Sequence, residues 1–156
     1  MKLKTYVGCA LTGAPQVFRD FVEMFKVTLT ENFDVELLKF VGLTNGTPRD
    51  VFRTDLGNVR KCDAMIAFVD LPSIGLGMEI KTAIEHKKPL LCLHRSGTSV
   101  TRMLTGARDE KELEMVPYHH LVDALESAGQ YLAYVRERSA GIDAIETWPA
   151  TMEETG

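Results

Sequence analysis

Residues 71–86, LPSIGLGMEIKTAIEH, set one acid, Glu79, behind two glycines, Gly75 and Gly77. The pattern reads as a loop that opens a helix. A helix start offers unpaired N–H groups and the positive end of the helix dipole, which together welcome an anion. The glycines also clear side chains from the approach to Glu79, and Ser73 adds a hydroxyl on the same loop. An acid in a first turn is equally accounted for by the dipole alone, with which it interacts by about 0.3–1 kcal/mol. Read as chemistry, a carboxylate held ionised by a helix start is a nucleophile for an electron-poor carbon such as a glycosidic C1. It would form a covalent glycosyl ester that water or another acceptor later displaces. Such a step calls for a second acid to share a proton with the leaving group, and Asp55, in RTDLGNVRKCD, is the candidate. GLGMEI also begins like a dinucleotide fingerprint, but the third glycine is missing and Glu79 intrudes, so a nicotinamide or flavin site is a weak match.

These residues need a scaffold, and the apolar pattern supplies one. Expected strands cover residues 4–10, 34–41, 64–69, 89–93 and 114–118; expected helices cover 16–30, 48–61, 78–86, 101–104 and 121–135. The continuous apolar run at 64–69 has the character of a strand covered on both faces. Strands alternating with helices imply an α/β fold with a doubly wound parallel sheet, and the flavodoxin-like order 2-1-3-4-5 is expected. Ligands of such sheets bind beyond the carboxyl ends of the strands where the winding reverses, here between the first and third strands. The loops meeting there are residues 8–15 and 70–77. One domain, 1–138, followed by an acidic tail, 139–156, with Glu146, Glu153 and Glu154, accounts for the length.

A net charge of −4 gives no broad basic field, which disfavours polymeric nucleic acid as a partner. The first apolar run reaches glycine too soon for a spanning helix, so a cytoplasmic protein with no membrane partner is expected. Cys9, Cys62 and Cys92 are widely spaced within or beside apolar runs and read as buried thiols. No pair of His86, His94, His119 and His120 has the spacing of a catalytic metal site, and neither a metal nor a cofactor is expected.

TYVGCALTG, FRTDLGNVRKCDAMIAFVD, PSIGLGMEIKTAIEHKKPLLCLHR and SGTSVTRMLTGA, in that order over residues 4–107, resemble the nucleoside 2-deoxyribosyltransferase family. The likeness is greatest to its 2'-deoxynucleoside 5'-phosphate N-hydrolase branch. The resemblance implies that Glu79 is the nucleophile, that Asp55 orients the sugar and protonates the base, and that Tyr6 lines the site and positions the catalytic carboxylate. It implies a phosphate-holding loop made of Ser73 with the amides of Gly75 and Gly77, and a substrate border at Gly8 and Gly13. Thr101 falls where the branch receives a serine from the neighbouring subunit, which implies a homodimer with shared sites. Residues 73–77 contain no acid to repel a phosphate. The arginine usual near Gly13 or Ala14 in that branch is missing, which leaves Arg19 or a partner residue to supply the charge, and Met78 stands where relatives carry an aromatic. The implied function is hydrolysis of a small-molecule substrate, a 2'-deoxynucleoside 5'-monophosphate, to free base and 2-deoxyribose 5-phosphate. A deoxyribosyltransferase exchanging bases is the enzymatic alternative, and a nucleotide-sensing module without turnover is the non-enzymatic one.

Overall fold

Apolar runs separated by amphipathic helices leave the chain one economical way to bury both, and the computed structural model, which describes residues 1–141, adopts it. The order is β1 (Leu3–Cys9), α1 (Gln16–Asn32), β2 (Val35–Leu37), α2 (Pro48–Lys61), β3 (Ala64–Phe68), α3 (Ile74–Glu85), β4 (Leu90–Arg95), α4 (Arg102–Asp109), β5 (Glu114–Tyr118) and α5 (Leu121–Ser139). The five strands pair in parallel in the order β2-β1-β3-β4-β5, as the sequence leads one to expect. Of the acidic tail, residues 142–156 lie outside the described residues, while Ser139 ends α5.

The two faces of the sheet carry separate cores. Alternate residues of β1 divide between them: Val7 and Cys9 join Val22, Phe25 and Leu29 of α1 and the buried face of α5. Phe68 of β3 anchors that side, with the Phe25 ring edge-on at 4.8 Å. Tyr6 points the other way, to Met65, Ala67, Leu76 and Ile80 beneath α2 and α3. Every residue of β3 is buried, which fits its place at the centre. Gly8 pairs with Ala67 and Cys9 with Phe68, so the carboxyl ends of β1 and β3 lie level and open onto the same edge. Cys9, Cys62 and Cys92 are buried thiols, and no described helix is long and apolar enough to cross a membrane.

Several element ends differ from expectation, α1 running to Asn32 and α5 to Ser139 among them, and the differences at β2 and α3 have local reasons. β2 is only Val35–Leu37 rather than 34–41, because beyond the Leu38 N–H, which still donates to Thr5 O at 2.9 Å, side chains take over from the strand ladder. α4 runs on to Asp109. α3 starts at Ile74 instead of 78, because Ser73 acts as its N-cap, its hydroxyl accepting from the Leu76 N–H at 3.2 Å. Gly75 and Gly77 therefore lie inside the first helical turns, and Glu79 sits in the second turn.

Candidate active site

α2 and α3 bring their functional side chains to β1 from the same face of the sheet. α2 is fixed by a capping box: Thr47 Oγ1 accepts from the Asp50 N–H at 3.2 Å, and Asp50 Oδ2 accepts from the Thr47 N–H at 2.8 Å, with Pro48 as the first helical residue. Two turns on, Asp55 Oδ1 accepts from the Val41 N–H at 2.9 Å. Asn58, three residues further along the helix, donates to Lys39 O at 2.9 Å. Asp55 is therefore tied to the β2–α2 connection through one oxygen.

Among the described residues three buried side-chain polar atoms lack a hydrogen-bond partner: the Tyr6 hydroxyl, Glu79 Oε2 and Arg19 Nε. Folded proteins rarely leave such atoms unsatisfied, at a cost of about 1–3 kcal/mol each. The first two belong to one place. Tyr6 and Glu79 alter each other's acidity as hydrogen-bonding neighbours do, although no bond of regular geometry joins them. Asp55 acts electrostatically on both, so the structure brings Glu79, Tyr6 and Asp55 together.

The electrostatics correct one expectation. Glu79 is not held ionised by the helix start: burial pushes its carboxyl up to about 7, and the negative charge of Asp55 adds to this, while the Tyr6 hydroxyl and the Lys26 ammonium pull the other way. A residue in the second turn gains little from the dipole, which fades beyond the first turn, so desolvation wins. Burial likewise raises Asp55, against the Val41 amide, which favours its charged form. Burial, then the neighbouring Glu79 charge, raise Tyr6 far above the usual phenol range, leaving it a neutral donor.

The loop ahead of Glu79 is partly spent on the helix. The Gly77 N–H donates to Ser73 O at 3.1 Å, so that amide is not free for a ligand as expected. The Ile74 and Gly75 amides, in the first turn, have no intrahelical acceptor by the geometry of a helix start. The Ser73 hydroxyl, though accepting from Leu76, retains its own proton to donate. A side chain at Gly75 or Gly77 would meet nothing within 4 Å, so space lies open on that side. Gly8 differs: a Cβ there would stand 2.9 Å from Leu76 Cδ1 and 3.2 Å from Met65 Cε, so its missing side chain makes room for α3 against β1. Gly13 turns the first loop at a φ of +75°. Thr101 caps α4, accepting from the Met103 N–H at 3.3 Å, and is exposed. Arg19, in α1, donates to Gln16 Oε1 at 2.8 Å while its Nε is buried without a partner.

Several contributors escape sequence reasoning. Asp70 accepts from the Arg95 N–H and, at 2.8 Å, from the Tyr118 hydroxyl, tying the carboxyl ends of β3, β4 and β5. Lys26, on α1, is only 15% exposed and places Nζ 3.8 Å from the centre of the Phe40 ring. A cleft of about 680 Å³ is lined by Glu23, Lys26, Leu38 and Phe40 among others, and none of Glu79, Tyr6 and Asp55 lines it. The spacing of Asp55 and Asn58 on one helix face was the only sequence signal available for the loop tether. Among the described residues no group of His, Cys, Asp or Glu could hold a metal ion.

The sheet order and this carboxylate-bearing edge define an α/β protein of the nucleoside deoxyribosyltransferase-like fold. A solved structure, the CMP N-glycosidase of Clostridium botulinum, superposes with a TM-score of 0.65 at 20% identity, covering 81% of this chain and 98% of that one. No family model matches. A relative from Thermofilum pendens named 2'-deoxynucleoside 5'-phosphate N-hydrolase is 30% identical over 126 residues, 79% of this chain and 85% of the relative. The chain belongs to that N-hydrolase family. A Methanosarcina mazei relative of the same name is 43% identical over 63 residues, 40% of this chain, and the match spans 39% of that relative's length.

Proposed function

We propose that this protein is a nucleotide N-glycosidase that hydrolyses 2'-deoxynucleoside 5'-monophosphates to free base and 2-deoxyribose 5-phosphate. The observation that carries the reading is the meeting of Glu79, Tyr6 and Asp55 at one sheet edge, with Tyr6 OH and Glu79 Oε2 buried and unsatisfied. Membership of the N-hydrolase family supports the substrate class.

In this mechanism an ionised Glu79 oxygen attacks C1' of the sugar while the bond to the base breaks, its electron pair leaving with the base. Asp55 gives that base a proton, which neutralises the leaving group. Water then attacks C1', surrenders a proton to Asp55, and the ester electrons return to Glu79. Tyr6, held neutral, donates to the carboxylate and fixes its direction. The Ser73 hydroxyl with the Ile74 and Gly75 amides receives the 5'-phosphate at the helix start, and the half-buried Arg19, whose Nε lacks a partner, is a candidate for a counter-charge from the first loop's helix.

The reading extends to a cytoplasmic homodimer of the 1–138 domain in which Thr101 completes the partner's site. α4 buries none of its residues, and Met103 is 82% and Ile74 88% exposed, so pairing across α3 and α4 would cover apolar surface. The test is chromatographic: dAMP, dGMP and deoxyadenosine are incubated separately, and with a second free base. Base with sugar phosphate from the monophosphates is the expected product. A new nucleoside would show transfer instead, and calorimetric binding with no base released would show a sensing module.

A further inference from the structure

Three consecutive residues of the β2–α2 connection are each held by a side chain from a helix. Lys39 O accepts from Asn58 Nδ2 at 2.9 Å, the Phe40 ring lies under Lys26 Nζ at 3.8 Å, and the Val41 N–H donates to Asp55 Oδ1 at 2.9 Å. Asn58 and Asp55 come from α2, on one face of the sheet, while Lys26 comes from α1, which packs on the other. β2 has already ended at Leu37, so the strand ladder does not fix this segment. Beyond it the chain turns at Gly42 and Gly46, both at positive φ, and runs exposed from Leu43 to the Thr47 cap.

The contact on Phe40 is more than a surface ion pair. Lys26 is 15% exposed while Glu23, 3.1 Å from its Nζ, is 65% exposed, so the ammonium is drawn inward over the ring. Phe40 in turn packs against the core that contains Tyr6, Leu76 and Ile80. A cation over an aromatic face strengthens as it loses water.

The Val41 amide has a stereochemical consequence. A carboxyl oxygen that accepts an N–H keeps its carbonyl character, so a proton on Asp55 resides on the other oxygen. Val41 thereby assigns Oδ1 to the loop and leaves Oδ2 to hold and deliver the proton. We propose that Lys26 and Phe40 are positioning residues for Asp55: by clamping residues 39–41 they hold the Val41 amide on Oδ1, so that Oδ2 faces the departing base. The proposal rests on the N-glycosidase reading and deepens it.

Phe40→Leu and Lys26→Met remove the contact while keeping apolar bulk. Two substrates separate their effect from general damage: dGMP, whose base needs a proton to leave, and its N7-methylated counterpart, whose base already carries positive charge. Phe40→Leu is expected to lower kcat on dGMP about tenfold and to leave the methylated substrate within about twofold, whereas Lys26→Met, which also removes a charge that favours ionised Glu79, is expected to lower both, dGMP the more. In an Asp55→Asn background Phe40→Leu should not lower dGMP turnover further. Hydrogen exchange at the Val41 amide should quicken about tenfold in both variants, a readout independent of turnover. Equal loss on both substrates or additive loss with Asp55→Asn in Phe40→Leu, or unchanged Val41 exchange in either variant, overturns the proposal. Absence of base release from wild-type protein with either substrate overturns the glycosidase reading itself, and is distinguished by a Val41 exchange response that persists.

Discussion

The Tyr6 hydroxyl and Glu79 Oε2 are buried against one another at the junction of β1 and α3, and neither forms a regular hydrogen bond within the described chain. An arrangement that costs stability and is kept has its reason elsewhere. Tyr6→Phe should therefore leave the melting temperature unchanged or raise it, because it deletes an unsatisfied group. It should lower kcat about ten- to a hundredfold through loss of a donor to the nucleophile. Since the hydroxyl favours the ionised carboxylate, the acid limb of the rate profile should move to higher pH. Thermal unfolding and a pH–rate series on the same preparation check both; a large fall in stability would make Tyr6 a packing residue.

Glu79 carries its own pH signature. Its folded-state value of about 7 lies above the ordinary 4.5, so the folded protein binds that proton more tightly than the unfolded chain does. Stability is therefore expected to fall as pH rises from 4.5 through about 7, by up to about 3 kcal/mol. Glu79→Gln should abolish turnover and flatten this slope, making the variant the more stable of the two at pH 8. Urea unfolding of both proteins from pH 5 to 8 measures it, and parallel curves would refute the burial of the charge.

The same residues show what the sequence discloses. The strand order follows from alternating apolar runs and helical spacing, because burial of both faces of a parallel sheet leaves few arrangements. Glu79 and Asp55 could be singled out as residue types on elements leading to the central strands, whereas Tyr6 entered only through the family resemblance. The start of α3 was not: Gly75 and Gly77 are poor helix formers, and only Ser73 as a cap, three residues before the Leu76 amide it accepts, signals that the helix includes them. Residues 38–41 alternate like a strand, yet are held by Lys26, Asn58 and Asp55, which are distant in sequence. The direction of the Glu79 shift depended on depth, which a linear pattern does not contain.

Ser73 serves two masters, and substitution separates them. Ser73→Ala removes the cap on Leu76 and should cost about 1 kcal/mol. It also removes a hydroxyl donor from the helix start, so KM for a deoxynucleoside 5'-monophosphate should rise while any residual activity on the unphosphorylated nucleoside stays level. Ser73→Asp is the sharper variant, since it keeps a cap but places negative charge where the phosphate is proposed to sit. It should hold stability near wild type and raise KM for the monophosphate further. Steady-state kinetics on dGMP and deoxyguanosine decide the matter; equal changes on both would remove the phosphate from this loop.

The proposed sharing of sites between subunits can be read by mixing two inactive proteins. If Thr101 of one copy completes the site that contains Glu79 of the other, Glu79→Gln and a bulky Thr101→Trp homodimer are each inactive for different reasons. After exchange, half the molecules are heterodimers in which one site carries both substitutions and the other carries neither. Activity should then recover to about a quarter of the wild-type level, the fraction of intact sites expected for a two-fold assembly. If Thr101 instead acts within its own chain, every site in the mixture retains one substitution and no activity returns. Light scattering on the mixture confirms that exchange has occurred, so that silence in the assay counts against sharing.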